Sequence, residues 1–222
     1  MRYLLAGSAF PITFASGEVV RPEGVVDTVE GTGLPGAAVV GQRVEDAAEA
    51  TRCDTSGLRM AESRQLSHFG VLSLLLLHQA TLRQALATLI AYSHLLNESL
   101  AIQMEDAGSL VILREDIVAP GPMPQSVDLA IGVLYRTCAA LLHERWRPQR
   151  VCFGHSAPKD LAVHKRVFAC RVEFDAEFNG IVCKAADLNE PNLLADPALA
   201  RYAQTLVDTQ FGSRDASRAQ QV

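Results

Sequence analysis

Residues Val151 to Val182 read VCFGHSAPKDLAVHKRVFACRVEFDAEFNGIV, and their pattern decides what kind of fold this chain can adopt. Val151, Phe153 and His155 alternate with Cys152 and Gly154, the period-two spacing of a strand with one buried face. Pro158 to Ala169 has the length of a short helix, and Val172-Glu173-Phe174 returns to extended chain. Asn179-Gly180 then turns into Ile181-Val182-Cys183. Strands and a helix interleaved in so short a span predict an α+β domain. The expected form is a small, mostly antiparallel sheet packed against several helices, with a helix-rich N-terminal half.

Working outward on the N-terminal side, Ser126 is placed to cap a long helix, Val127 to Trp146, with Val127, Ile131, Leu134, Cys138, Leu141 and Leu142 on its inner face. Leu100, Ile102 and Met104 alternate with Gln103 and Glu105, and Asp106 to Ser109 turns into Leu110 to Val118, which reads as a hairpin. Thr81 caps a helix over Leu82 to Asn97, and Phe69 to Gln79, apolar all round, predicts a helix buried on most sides. An amphipathic helix from Gln42, marked by Val44, Ala47, Ala48 and Thr51, ends before Asp54-Thr55-Ser56-Gly57. Glycines and prolines break up residues 17 to 41, where only a short helix at Gly24 to Glu30 fits. On the C-terminal side Asp196 caps a helix at Ala198 to Gln210 with Pro197 at its first position. Gly212 to Val222 carries no apolar pattern and reads as a linker.

The composition sets limits on function. The 222 residues are 49% hydrophobic and 20% charged, which excludes disorder and low complexity for the chain as a whole. Twenty Lys plus Arg against 25 Asp plus Glu leave a net charge of −5, so the chain has no global attraction for a phosphate backbone. Cys53, Cys138, Cys152, Cys170 and Cys183 are odd in number and contain no C-x-x-C pair, so they are expected to be reduced thiols rather than a disulfide framework or zinc site. The longest apolar run, Val71 to Leu77, is far short of a membrane span. Met1 to Ala15 has the outline of a signal peptide but holds one positive charge, is interrupted by Pro11 and lacks an A-x-A site, which leaves a cytoplasmic location as the expectation.

Residues able to carry chemistry are sparse. Gly31-Thr32-Gly33-Leu34-Pro35-Gly36 has neither phosphate-loop nor dinucleotide spacing, and no two of the six histidines stand four apart, so neither a cofactor nor a metal is expected. His155, Ser156 and Asp160 lie close in sequence, but no G-x-S-x-G elbow is present and neighbours on a strand face opposite ways. Arg114 shares a strand face with Leu110 and Ile112; if that face is inward, its guanidinium is either ion-paired or waiting for an anion.

The ordered motifs are Asp54-x-x-Gly57-Leu58-Arg59, Phe69-Gly70, Thr81-Leu82-x-x-Ala85-Leu86 and Val151-x-Phe153-x-His155-x-Ala157-Pro158-x-Asp160. Phe168, Val172-x-Phe174, Asn179-Gly180-Ile181-Val182, Leu188 and Asp196-Pro197-x-Leu199 continue the series. Together, over Val25 to Gln210, they resemble the N-terminal arabinose-binding-like effector domain of AraC/XylS-type transcription regulators, in the subgroup that includes the ornithine-utilisation regulators. The resemblance implies that a small molecule is sensed here and that DNA is read by a separate C-terminal domain with two helix-turn-helix motifs. No such domain is recognisable after Phe211, so the expected organisation is an unassigned segment 1–24, a sensing domain 25–211 and a linker remnant 212–222.

The resemblance does not name the effector. Tyr92, Tyr135, Arg114, His94 and His68 border apolar elements and are the candidate effector-binding residues, with Arg114 pointing to an anionic ligand. That ligand is expected between the Leu100–Val118 hairpin and the helices Leu82–Asn97 and Val127–Trp146. A homodimer is expected too, since regulators of this type read paired half-sites, with the Val127–Trp146 helix as its interface. The alternative is a small hydrolase using His155 or a cysteine.

Overall fold

The computed structural model describes residues 12–13, 19–20, 37–97, 99–118, 121–142 and 146–219. The helix expected at Gly24 to Glu30 lies outside them. Two short strands, β1 (Ile12–Thr13) and β2 (Val19–Val20), pair with each other. Helices α1 (Ala37–Thr51) and α2 (Ser56–Glu62) follow, then a 3-10 turn at Leu66–Phe69 and α3 (Val71–Leu77). Gly70 joins these last two with φ 59 and ψ −131, a conformation that a side chain would strain. Next come α4 (Leu82–Leu96), β3 (Leu100–Ala107), β4 (Leu110–Ile117), α5 (Pro124–Leu141), β5 (Arg150–Cys152), α6 (Ala162–Phe168), β6 (Arg171–Glu173) and β7 (Gly180–Lys184). Helices α7 (Ala185–Asn189) and α8 (Pro197–Ala219) complete the described chain.

The five-stranded sheet has the order β3-β4-β7-β5-β6. Every pairing is antiparallel except β5 with β6, the two strands that α6 connects. That exception follows from geometry, because parallel neighbours need a crossover where antiparallel ones need only a turn. Register fixes two rows of side chains. Ile102 on β3, Val111 and Leu113 on β4, Ile181 and Cys183 on β7 and Val151 on β5 form the core row, each at most 8% exposed. Gln103, Arg114 and Arg150 belong to the opposite row.

Helix α5 lies over the core row and is buried on nearly all sides, so it is not the exposed dimer face the sequence led us to expect. It also begins earlier and ends sooner than expected. Pro124 stands in its first turn, where a missing N–H costs nothing, and Leu142 N–H closes the last turn on the Cys138 carbonyl. Ser126 is therefore not the N-cap. The Glu45 carboxylate of α1 caps the helix from outside, accepting from the N–H of Gln125 at 3.3 Å and from the N–H and Oγ of Ser126 at 2.8 and 3.0 Å. Thr81, by contrast, caps α4 as its type predicts, accepting from Gln84 N–H at 3.2 Å. Helix α8 starts on Asp196, as expected, and runs on to Ala219, so the chain after Phe211 is helical where a linker was expected.

Helices α2 and α5 cross at van der Waals contact. A Cβ on Gly57 would fall 1.8 Å from the Gln125 carbonyl oxygen, and one on Gly132 would fall 2.6 Å from the Ala61 methyl. The Gln125 side chain ties the crossing together by accepting from Gly57 N–H at 3.0 Å and donating to the Asp54 carbonyl at 3.0 Å. Gly57→Ala must push the two helices apart, and a loss of about 3 kcal/mol in chemical denaturation is expected. Gly108→Ala at the hairpin turn, where no atom lies within 4 Å, tests backbone strain alone and should cost much less.

Candidate functional site

Buried polar groups are the natural places to look for function, because an interior that gains nothing from them would be apolar. Two stand out. Asp128, on the second turn of α5, is fully buried and meets two imidazoles. His155 Nε2 lies 3.2 Å from its Oδ1, and His164 Nε2, on α6, lies 3.3 Å from its Oδ2. Phe153, Phe168 and Phe174 wall the histidines with ring-to-ring contacts between 5.2 and 6.4 Å. Burial lowers the pKa of His155, but hydrogen bonds to Asp128 and to the Ser156 carbonyl outweigh it, and the net shift is upward. Both ring nitrogens therefore face acceptors, the arrangement that an imidazolium needs.

Glu115 is the second. It alternates into the core row after Val111 and Leu113, opposite Ile102, and is 3% exposed. Its Oε2 is buried without a hydrogen-bond partner. Burial pushes its carboxyl up to about 8, with the neighbouring Asp116 adding to the shift. A buried ionisable group without a partner costs a fold several kcal/mol in its charged form, so it stays protonated until something compensates it.

The structure does not bring the five nominated residues together. Arg114 lies on the row opposite the core, where its Nε meets Glu105 at 3.1 Å and its guanidinium sits 5.0 Å over the Phe178 ring. The inward residue of the pair is Glu115. Tyr92 donates to Asp208 at 2.9 Å and accepts from Gln204, so it ties α4 to α8. Tyr135 is buried, 5.5 Å from Trp146 and edge-on to Phe168 at 5.3 Å. His94 is exposed on α4, and exposed His68 accepts from Gln65 N–H at 3.3 Å. Sequence reasoning missed Asp128 and Glu115. For Glu115 a signal was present: Ile117 extends the odd-numbered apolar row while Asp116 closes the even one.

Among the described residues the hydrolase alternative finds no serine hydroxyl or cysteine thiol hydrogen-bonded to His155. His155 has both nitrogens engaged, and Ser156 donates its hydroxyl to Asp175 at 2.8 Å instead. All five cysteines are free. Burial raises Cys138, Cys152, Cys170 and Cys183 away from the thiolate form, whereas at Cys53 burial is outweighed by hydrogen bonds from Thr55 and Ser56 and by the Arg59 charge, and its thiol is lowered. Among the described residues no group of three His, Cys, Asp or Glu is arranged to hold a metal ion, and no helix is long and apolar enough to cross a membrane.

A helix-covered, mostly antiparallel sheet with two buried acidic groups defines an α+β domain. The chain belongs to the family of the arabinose-binding domain of AraC transcription regulators, N-terminal, whose model matches residues 37–192. Its fold is similar to that of the transcriptional regulator CdpR from Pseudomonas aeruginosa, with a TM-score of 0.59 and 18% identity over 77% of this chain. The similarity spans 59% of that regulator. No curated protein matches the sequence.

Asp128→Asn should lower the titration point of His155, followed by NMR of the imidazole carbons. A histidine raised in the folded state stabilises most below its ordinary value of 6.5 and loses that contribution as pH rises through the raised one. The variant's stability deficit should accordingly be larger near pH 6 than near pH 9.

Proposed function

We propose that this domain binds a small organic molecule in the space between α5, α4 and the β3–β4 hairpin, and that binding controls a DNA-reading domain in the complete regulator. The observation that carries this reading is the family match over residues 37–192. Two features support it. The net charge of −5 gives the chain no electrostatic footprint for DNA, so DNA contact falls to another domain. The core keeps a carboxyl oxygen, Glu115 Oε2, that no group among the described residues satisfies, and a ligand is a reason to keep one. Arg114 gives no reason to require an anion, because Glu105 already answers its charge. Five free thiols suit a reducing, cytoplasmic setting, and sensing in place of catalysis suits the engaged nitrogens of His155.

Self-association is assigned to α8. Ala203 and Val207 face α3 and are fully buried, while Leu199, Tyr202 and Leu206 are 41%, 60% and 37% exposed. Their spacing of three and four residues is that of a coiled-coil seam, which pairs naturally with a second copy of itself. Sedimentation should show a concentration-dependent dimer that Tyr202→Glu abolishes without lowering the melting temperature; a monomer at every concentration rules this seam out.

A thermal-shift panel of amino acids, amines, carboxylates and sugars tests the sensing function itself. A saturable rise in melting temperature is expected with at least one class, since a ligand that binds only the folded state adds about 2.7 kcal/mol at a hundredfold excess over its Kd. The same compound should alter promoter binding by the complete regulator, measured by gel retardation with and without it.

A further inference from the structure

We propose that the ligand carries a protonated amine or an amidinium group, and that Glu115 receives it on the core side of the β3–β4 hairpin. This rests on the sensing function proposed above and specifies its ligand class. Glu115 sits on the row of Val111 and Leu113, across the strand pair from Ile102, and is 3% exposed. Its Oε2 accepts no hydrogen bond. The buried hydroxyls of the neighbouring helices are spent within their own helices: Ser93 Oγ donates to the Ile90 carbonyl and Thr137 Oγ1 to the Val133 carbonyl, each at 2.8 Å.

Among the described residues no cation answers Glu115 either. The nearest in sequence, Arg114, is turned to the other row and held there by Glu105. Asp116, of the same sign, is the one charged neighbour that acts on the Glu115 carboxyl. Asp128, whose Oδ2 likewise makes no hydrogen bond, has two imidazoles of the chain within 3.3 Å, which Glu115 does not have. Glutamine or leucine at position 115 would escape the desolvation that a carboxyl incurs there.

A positively charged donor is the partner that suits the ionised carboxyl, because it compensates the charge that burial penalises. An ammonium or amidinium supplies several N–H groups and the countercharge together, while the apolar side chains of Ile102 and Leu113 suit a hydrocarbon remainder. A carboxylate ligand would bring a second negative charge instead of a countercharge. Because burial holds the Glu115 carboxyl up to about 8, cation binding is expected to expel its proton at neutral pH.

The test is thermal melting of the purified chain, followed by the fluorescence of its single tryptophan, Trp146, at constant ionic strength. The probes are n-pentylamine, 1,5-diaminopentane and n-butylguanidine, against pentanoate, pentanol and glucose. At least one amine or guanidine should raise the melting temperature saturably, and Glu115→Gln should weaken that response at least tenfold while melting at or above the temperature of the unaltered protein. Glu115→Leu serves as a second variant with the same expectation. If no cationic probe shifts the transition, or Glu115→Gln retains the full response, the proposal falls, and a buried water is then the partner of Oε2. Binding of pentanoate, pentanol or glucose alone would overturn the amine assignment and leave the sensing function standing, whereas no shift from any probe counts against both.

Discussion

The structure depends on burying one helix from nearly every side. Helix α5 runs through the core with polar residues at positions 125, 126, 128 and 137 among its apolar ones, so each neighbouring element must bring a partner as well as a surface. Glu45 supplies acceptors for its first turn, the backbone at Asp54 and Gly57 meets Gln125, and the segment after β5 and helix α6 each deliver one imidazole to Asp128. An exposed helix would leave these groups to water. A buried one converts each into a constraint on where another element can lie, because an unmade bond in the interior costs more than a made one gains.

Much of this was legible in the sequence. The α+β class, the hairpin, the Thr81 and Asp196 caps and the strand-helix-strand order of residues 151 to 182 all follow from local spacing, and the structure has each of them. Local spacing could not show that α5 takes its cap from Glu45, eighty residues upstream, because a partner so distant leaves no mark beside the helix. Nor could it show that α8 continues past Phe211.

The site was less legible, and the reason is one of parity. From Leu110 to Leu113 both rows of β4 are apolar, so the alternation does not say which row faces in, and a choice made on Arg114 sends Glu115 out. A shift of one residue exchanges a guanidinium for a carboxyl in the interior and inverts the charge expected of a ligand. Asp128 was hidden differently. A single acid in a helix normally marks the solvent side, and only the fold brings His155 and His164 to it.

Tyr92 joins the two ends of the domain mechanically. Through Asp208 and Gln204 it couples α4, which borders the hairpin, to α8, whose Ala203 and Val207 rest on α3. Helix α8 continues about 24 Å beyond Ala203 at the standard helical rise. It has the proportions of a lever pivoting on small residues, so a tilt at the pivot too slight to disturb the core is magnified at the far end. Displacement, rather than a new contact, is then what a tilt at the pivot produces at the far end of α8.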